Sequence, residues 1–319
     1  TGAPGTEVTA AFLNAIQEEI LYVITEAGLT PSAINWTQLH EAIQLIIGQR
    51  LDSATAFVRR TTANAVITVN PAGGADFTSI QAALDSLRGR RIEPPNVVTI
   101  NCAAGTYAPF TCDHPQGNRI EIIGAAPTGW PSDALATADR SASLAAIRPF
   151  FPSRLVAAGA VTGATILGAG LRRLRNFMLE GDGTVGAHAV VGNTLLMFLE
   201  QVALVGFSAS GSFGLSMERG YCRGSRVYIA HCDRPTFALH GGAAIELDSS
   251  LGTSSLLRGS TGAASLWGVI GMYGGSIRHM SVVAAHAVET GHTRLEGVTT
   301  EGCGTNTSAW PGGRVTLAN

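Results

Sequence analysis

The chain has 319 residues, 39 of them glycine, with 45% hydrophobic and only 14% charged residues and a formal net charge of −2. All 21 basic residues are arginine, which excludes mechanisms resting on a lysine amine: Schiff-base and pyridoxal-phosphate chemistry, the Walker A phosphate loop and the lysine-dependent kinase site. The near-neutral balance and large apolar fraction exclude a disordered chain and a strongly basic nucleic-acid binder, so no nucleic-acid partner is expected.

Residues 1–52 read as an N-terminal helical docking or trimerisation segment. Thr1-Gly2-Ala3-Pro4-Gly5 lacks the basic and then apolar pattern of a signal peptide, so export by that route is not expected. Phe12, Ile16, Ile20, Val23 and Ala27 form one helical stripe, and Trp36, Leu39, Ile43 and Ile46 form a second. Gly28 and Pro31 mark the end of the first helix, and Asn35 with Gln38 three residues on has the pattern of a capping box opening the second. Two helices of this size cannot bury such stripes alone, and the near-heptad spacing favours bundling with copies of the same chain.

A polar linker is expected over 53–65. Residues 66–124 predict a first strand at Val66-Ile67-Thr68-Val69, a turn at Asn70-Pro71-Ala72-Gly73-Gly74, and a short capping helix presenting Ile80, Ala83, Leu84 and Leu87. Strands at 97–101 and 119–123 follow. Residues 125–160, broken by Pro127, Pro131, Pro149 and Pro152 and carrying Trp130, Phe150 and Phe151, read as an inserted surface loop for ligand contact or packing.

Residues 161–319 carry the body of the fold. Asn176-Phe177-Met178-Leu179 is followed 25 residues later by Gln201-Val202-Ala203-Leu204, and after another 25 by Arg226-Val227-Tyr228-Ile229. Aliphatic or aromatic residues alternate within each copy, which is strand periodicity at a fixed repeat, the signature of a mainly β fold built as a β-solenoid. Stacking at this period places Arg175 over Glu200 as a surface ion pair, sets Asn176, Gln201 and Arg226 in an outward column, and points Tyr228 outward. Ile277-Arg278-His279 and Val298-Thr299-Thr300 repeat the strand at a spacing of 21. The most apolar stretch, 187–207, carries Asn193, Glu200 and Gln201, so no membrane insertion is expected.

Cys102, Cys112, Cys222, Cys232 and Cys303 include no Cys-x-x-Cys pair and are expected as buried thiols. His279, His286 and His292 with Glu289 match no ligand spacing, and neither a metal nor a cofactor is signalled. No Gly-x-Ser-x-Gly elbow is present. Glycoside cleavage needs two carboxyl groups about 5 to 9.5 Å apart. Glu180 and Asp182 precede Asp233 by about two coils, so these three are the catalytic candidates. Tyr228, His231 and Arg234 are the glycan-binding candidates on the same edge. Plain turn chemistry for the carboxylates is the alternative, because turns favour aspartate.

The opening Gly5-Thr6-Glu7-Val8-Thr9-Ala10-Ala11-Phe12-Leu13-Asn14-Ala15-Ile16 and Thr37-Gln38-Leu39-His40-Glu41-Ala42-Ile43 resemble the N-terminal segments of bacteriophage tail fibre and tailspike proteins. Gly74-Ala75-Asp76-Phe77-Thr78-Ser79-Ile80, with Gly105-Thr106-Tyr107 after it, is similar to the start of right-handed parallel β-helices of the pectin-esterase and tailspike kind. The pectin-esterase catalytic signatures are absent. The resemblance implies a homotrimeric virion protein, assembled in the host cytoplasm, that contacts other virion structural proteins through residues 1–50 and a host surface polysaccharide through its β-helix. A polysaccharide depolymerase, hydrolase or lyase, on the same scaffold is the alternative, and a stand-alone β-helical lyase or esterase a third reading.

Overall fold

The computed structural model describes residues 9–33, 35, 37–46, 59–132, 135, 139–239, 242–248, 256–259, 261–265, 269–273, 276–278, 283–287, 290–296, 298–301, 303, 305–309, 311 and 313–318. They belong to two compact units, one of residues 1–60 with 89–91 and one of residues 61–88 with 92–319.

In the first unit Thr9 caps the helix Ala10–Glu26 by accepting from the Phe12 amide, and a second helix covers 38–46. Ile24, Ala27 and Ala42 form its small buried cluster, with Ile20, Val23, Leu29 and Ile46 packed against it. The capping-box expectation is corrected. Asn35 does accept from the Thr37 amide, but the Gln38 side chain accepts from the Ser32 amide at 2.6 Å and donates to the Thr30 carbonyl at 2.7 Å. It ties down the interhelical loop, whose backbone groups have no helical partner, instead of closing on the cap. Trp36 lies outside the described residues.

The second unit is a parallel β-solenoid of about seven turns. Its strands stack in three columns, called here the first, second and third faces. Ala65–Val69, Val98–Cys102 and Ile120–Ile123 open the first face, Gly105–Tyr107 and Ser153–Ala157 the second, and Phe110–Cys112 and Thr162–Gly168 the third. The long strands Leu171–Gly181, His188–Val205 and Phe213–Cys232 bend around corners and supply more than one face each. The 25-residue period is the observed register: Phe177 pairs with Val202 and Val202 with Val227. These residues point into one continuous interior cluster that extends from Val69 to Leu295.

Of the expected linker, 53–58 lies outside the described residues and Arg59–Thr61 is a strand. The capping helix is Ile80–Asp85, with Ser79 accepting from the Ala82 amide and Ile80, Ala83 and Leu84 buried in the interior cluster. Asp76 accepts from both the amide and the hydroxyl of Thr68, which pins the turn before this helix and holds its carboxyl below the usual carboxylate range.

Glycine is needed where coils approach most closely. At Gly220, with φ +81°, an added Cβ would lie 1.5 Å from the Thr194 carbonyl oxygen of the coil before, and at Gly170, φ +101°, 1.8 Å from that of Leu196. The corner between the first and second faces is also left-handed: Asn176, Gln201 and Arg226 have φ of 63°, 53° and 55°. They form a column, as expected, but the outward reading fails for Asn176, which is buried and donates to the Gly124 carbonyl at 3.2 Å. Arg175 does lie over Glu200, at 3.5 Å, and Arg173 reaches the same carboxylate at 3.1 Å.

Two further expectations change. Residues 125–160 are not simply a loop, since they contain the helix Arg140–Ile147, capped by Asp139, and the solenoid strand Ser153–Ala157. In the later coils Ile277 pairs with Thr300, not Val298, a spacing of 23 instead of 21. Coil length there varies, with Leu257 pairing Ile277 and Thr293 pairing Val315, so a fixed offset misplaces the strand.

Candidate functional site

The sequence-expected residues fall at the outer surfaces of the second and third faces. On the second face Met178, Ala203 and Tyr228 occupy successive coils of one outward column. Leu144 and Ile147 of the insert helix, with Phe151 after it, pack onto that column, and Trp130 meets Phe151 edge-on at 5.9 Å. Tyr228 therefore points outward but is fully buried. It offers no sugar-stacking surface, because the insert has taken the position a ligand would occupy.

Glu180 lies in the same patch with its side chain 4% exposed, between Arg148 and Arg154. One carboxylate oxygen accepts from Arg148 at 2.8–2.9 Å and the other from Arg154 at 2.9 Å. Both oxygens are thus held by guanidinium groups, an arrangement that fastens the insert to the solenoid. A groove of about 290 Å³ runs beside them, lined by Arg140, Ser141, Leu144, Arg148, Val156, Glu180, Gly181 and Asp182. Asp182 accepts from the Gly159 amide at 2.8 Å and the Thr184 amide at 2.9 Å, and these bonds lower its carboxyl to about 2.

Asp233 repeats this device, accepting from the Gly211 amide at 2.8 Å. Gly159 and Gly211 have φ of +75° and +79°, so each aspartate satisfies the amide of a left-handed glycine in the preceding coil. That is the turn chemistry set against catalysis in the sequence. His231, itself left-handed at φ 53°, lies with Nε2 at 2.9 Å from the Ser143 hydroxyl. Ser143 in turn donates to the Asp139 carbonyl at 2.8 Å, so its oxygen is the acceptor for the imidazole N–H. His231 thereby ties the insert helix to the corner.

The third face presents a different column. His188 and Phe213 stack with centroids 4.8 Å apart, and Phe213 and Phe237 stack at 4.9 Å with an interplanar angle of 12°. The Arg234 guanidinium carbon lies 5.8 Å from the Phe213 centroid and 5.3 Å from that of Phe237, within cation–π range. The Phe213 amide donates to His188 Nδ1 at 3.1 Å, and burial holds the imidazole below its usual pKa. Sequence reasoning found Arg234 but missed the rings. The signal was present, since His188 and Phe213 are one 25-residue period apart.

Of the candidate metal residues, His279 and Glu289 lie outside the described residues, as does the His286 side chain. Nε2 of His292 lies 3.1 Å from the Thr316 hydroxyl. Cys102, Cys112, Cys222 and Cys232 are buried, and burial pushes the Cys102 thiol to about 12 and Cys112 to about 11, which suits packing and not nucleophilic chemistry. No protein-family model matches the chain, and a search among curated proteins finds no relative.

Proposed function

We propose that this chain is a structural virion protein of a bacteriophage or phage-like particle. In this reading it is a homotrimeric fibre or spike whose N-terminal helices dock on other virion proteins and whose β-helix, right-handed in its course, attaches to a host surface polysaccharide. The observation that carries the reading is the open apolar face of the helical unit. Phe12, Leu13 and Tyr22 are 57%, 56% and 65% exposed, and Ile16, Leu21, Ile43 and Leu45 are also exposed. A groove of about 570 Å³ between the helices is lined by Leu13, Ile16, Ile20, Leu21, Ile24 and Leu39. An apolar surface of this kind marks an interaction site. Its near-heptad spacing suits further copies of the same helices.

Sedimentation of the full chain tests the assembly. A trimer that is lost when residues 1–50 are deleted is the expected result, and a monomer in dilute solution overturns it. Incubation with purified host capsular or lipopolysaccharide tests the attachment: binding without chain shortening is expected. Release of reducing ends, abolished by Asp233→Asn or Glu180→Gln, would replace attachment with depolymerisation.

A further inference from the structure

We infer that the His188, Phe213 and Phe237 column with Arg234 is a binding strip for an acidic saccharide, one carrying carboxylate groups. The inference rests on the polysaccharide-attachment reading and names the ligand class and the residues that would meet it. Three observations lead to it.

The rings face outward and lie outside the packing that buries the neighbouring face. Ala187 and Ala189 on either side of His188, and Ala238 after Phe237, belong to the interior cluster, while the three rings do not. Nor do they join the cluster formed by the insert. Phe237 is itself buried, at 9% exposure, while His188 and Phe213 are half-buried; where these stacked rings reach solvent they do so by their edges, and an aromatic edge carries the positive end of the ring quadrupole.

Arg234 is, among the described residues, a cation without an anion. Among the described residues no carboxylate lies within ion-pair distance of its guanidinium, and its side-chain contacts are the two phenylalanine rings. The adjacent Asp233 is turned to the Gly211 amide. Other arginines of the solenoid do meet carboxylates, among them Arg148 and Arg154 at Glu180, Arg172 at Glu121, Arg173 and Arg175 at Glu200, while Arg119 and Arg140 donate to the backbone carbonyls of Asn96 and Gly181. A planar guanidinium held against rings presents its remaining N–H groups in the fork that suits a carboxylate.

The tautomer of His188 completes the strip. Nδ1 accepts from the backbone, so in the neutral ring the proton sits on Nε2, on the opposite side. No partner for Nε2 is found among the described residues. The column therefore offers one cation, one N–H donor and the positive edges of its half-buried rings, and, among the described residues, no acceptor carboxylate. A neutral sugar would use only the donor and the apolar edges, whereas a uronate would also engage the guanidinium.

The test uses the full-length protein and three uronate polymers, polygalacturonate, polyglucuronate and alginate, each beside its carboxyl-reduced form. Titration calorimetry should show binding to at least one polymer that falls roughly tenfold or more on carboxyl reduction, the scale of one lost charge-assisted hydrogen bond. Arg234→Gln should cause a similar fall, Arg234→Lys a smaller one, and rising salt should weaken binding. Phe213→Leu, which keeps the apolar volume and removes the ring, should weaken it also. Circular dichroism and melting matching the parent chain would confirm that the variants fold. Equal affinity for reduced and unreduced forms, no binding to any of the three, or unchanged binding by Arg234→Gln would overturn the inference. If Arg234→Gln and Phe213→Leu both bind the host polysaccharide as the parent does, attachment stands and the strip falls. If the parent binds no host polysaccharide yet binds a uronate polymer through Arg234, the strip stands and the attachment reading falls.

Discussion

The outer surfaces of the second and third faces belong to one stack of coils, yet they have opposite fates. Each carries an outward column, Tyr228 above Met178 and Ala203 on one, and the rings of His188, Phe213 and Phe237 on the other. The first is buried under Leu144, Ile147 and Phe151 of the insert, and the second lies outside that cluster, with His188 and Phe213 half-buried and Phe237 buried. Their ion chemistry differs in the same sense. On the covered face Glu180 is saturated by two arginines, whereas on the third face Arg234 meets, among the described residues, the Phe213 and Phe237 rings. In this solenoid the outward direction of a side chain does not decide its exposure. A segment inserted between strands decides it.

The largest effect that would break this contrast is expected from Tyr228→Ala. If Tyr228 is core on the outside, its truncation costs about 3–5 kcal/mol, as for other buried aromatics, read as a lower denaturant midpoint at unchanged slope. A cost near that of a surface change would return Tyr228 to the solvent. Next is Glu180→Gln, which leaves two guanidinium groups facing a neutral amide. A loss of about 2–3 kcal/mol is expected, tempered because the Arg148 side chain is 48% exposed and can turn to water. Protease cleavage within 125–152 should rise in the same variant, and an unchanged cleavage pattern would show that the ion pairs do not hold the insert. Phe213→Ala, at a half-buried ring on the third face, should cost less, about 1–3 kcal/mol from partial apolar burial and ring stacking. A loss as large as that of Tyr228→Ala would erase the distinction between the faces.

The smallest effect is a titration. The folded-state pKa of His188 lies below 6.5 because burial disfavours the charged ring. The neutral ring also accepts the Phe213 amide. Its contribution is therefore complete above pH 6.5 and is lost as pH falls through that value toward the folded pKa, since the unfolded chain takes up the proton first. The melting temperature should drop between pH 7.5 and 5.5, and less so in His188→Gln. An equal drop in both proteins would remove His188 from the account. Asp182, lowered to about 2, acts only in stronger acid, as pH falls below 3.8.

Much of the solenoid was legible, and the reason is local. Phe177 and Leu179, Val202 and Leu204, and Val227 and Ile229 alternate because side chains on a strand alternate between faces, and their period survives because each coil must place the same residue types inside. The Arg175 and Glu200 pair follows from that register alone. What was not legible came from departures from pure periodicity. The left-handed corner at Asn176, Gln201 and Arg226 resembles an ordinary polar column in sequence. The uneven later coils shift Ile277 onto Thr300. Of the residues singled out in the sequence, Arg234 lies against the Phe213 and Phe237 rings, and Tyr228 is on the expected outward side but buried, whereas the stacking of His188 and Phe213, one period apart, is not evident from strand alternation.

By itself the sequence determined the repeat, the alternation of inside and outside, the helical stripes of the N-terminal segment and the absence of lysine chemistry, because each depends on residues close together or evenly spaced. Tertiary structure alone decided which outward column is covered, which carboxylates are spent on arginines and backbone amides, and which arginine is left facing rings. Those outcomes depend on where the insert helix Arg140–Ile147 lands on strands up to 88 residues away, as in the contact of Ser143 with His231. No local pattern encodes such a contact, since it is set by the shape and charge of two surfaces that exist only once the coils have stacked.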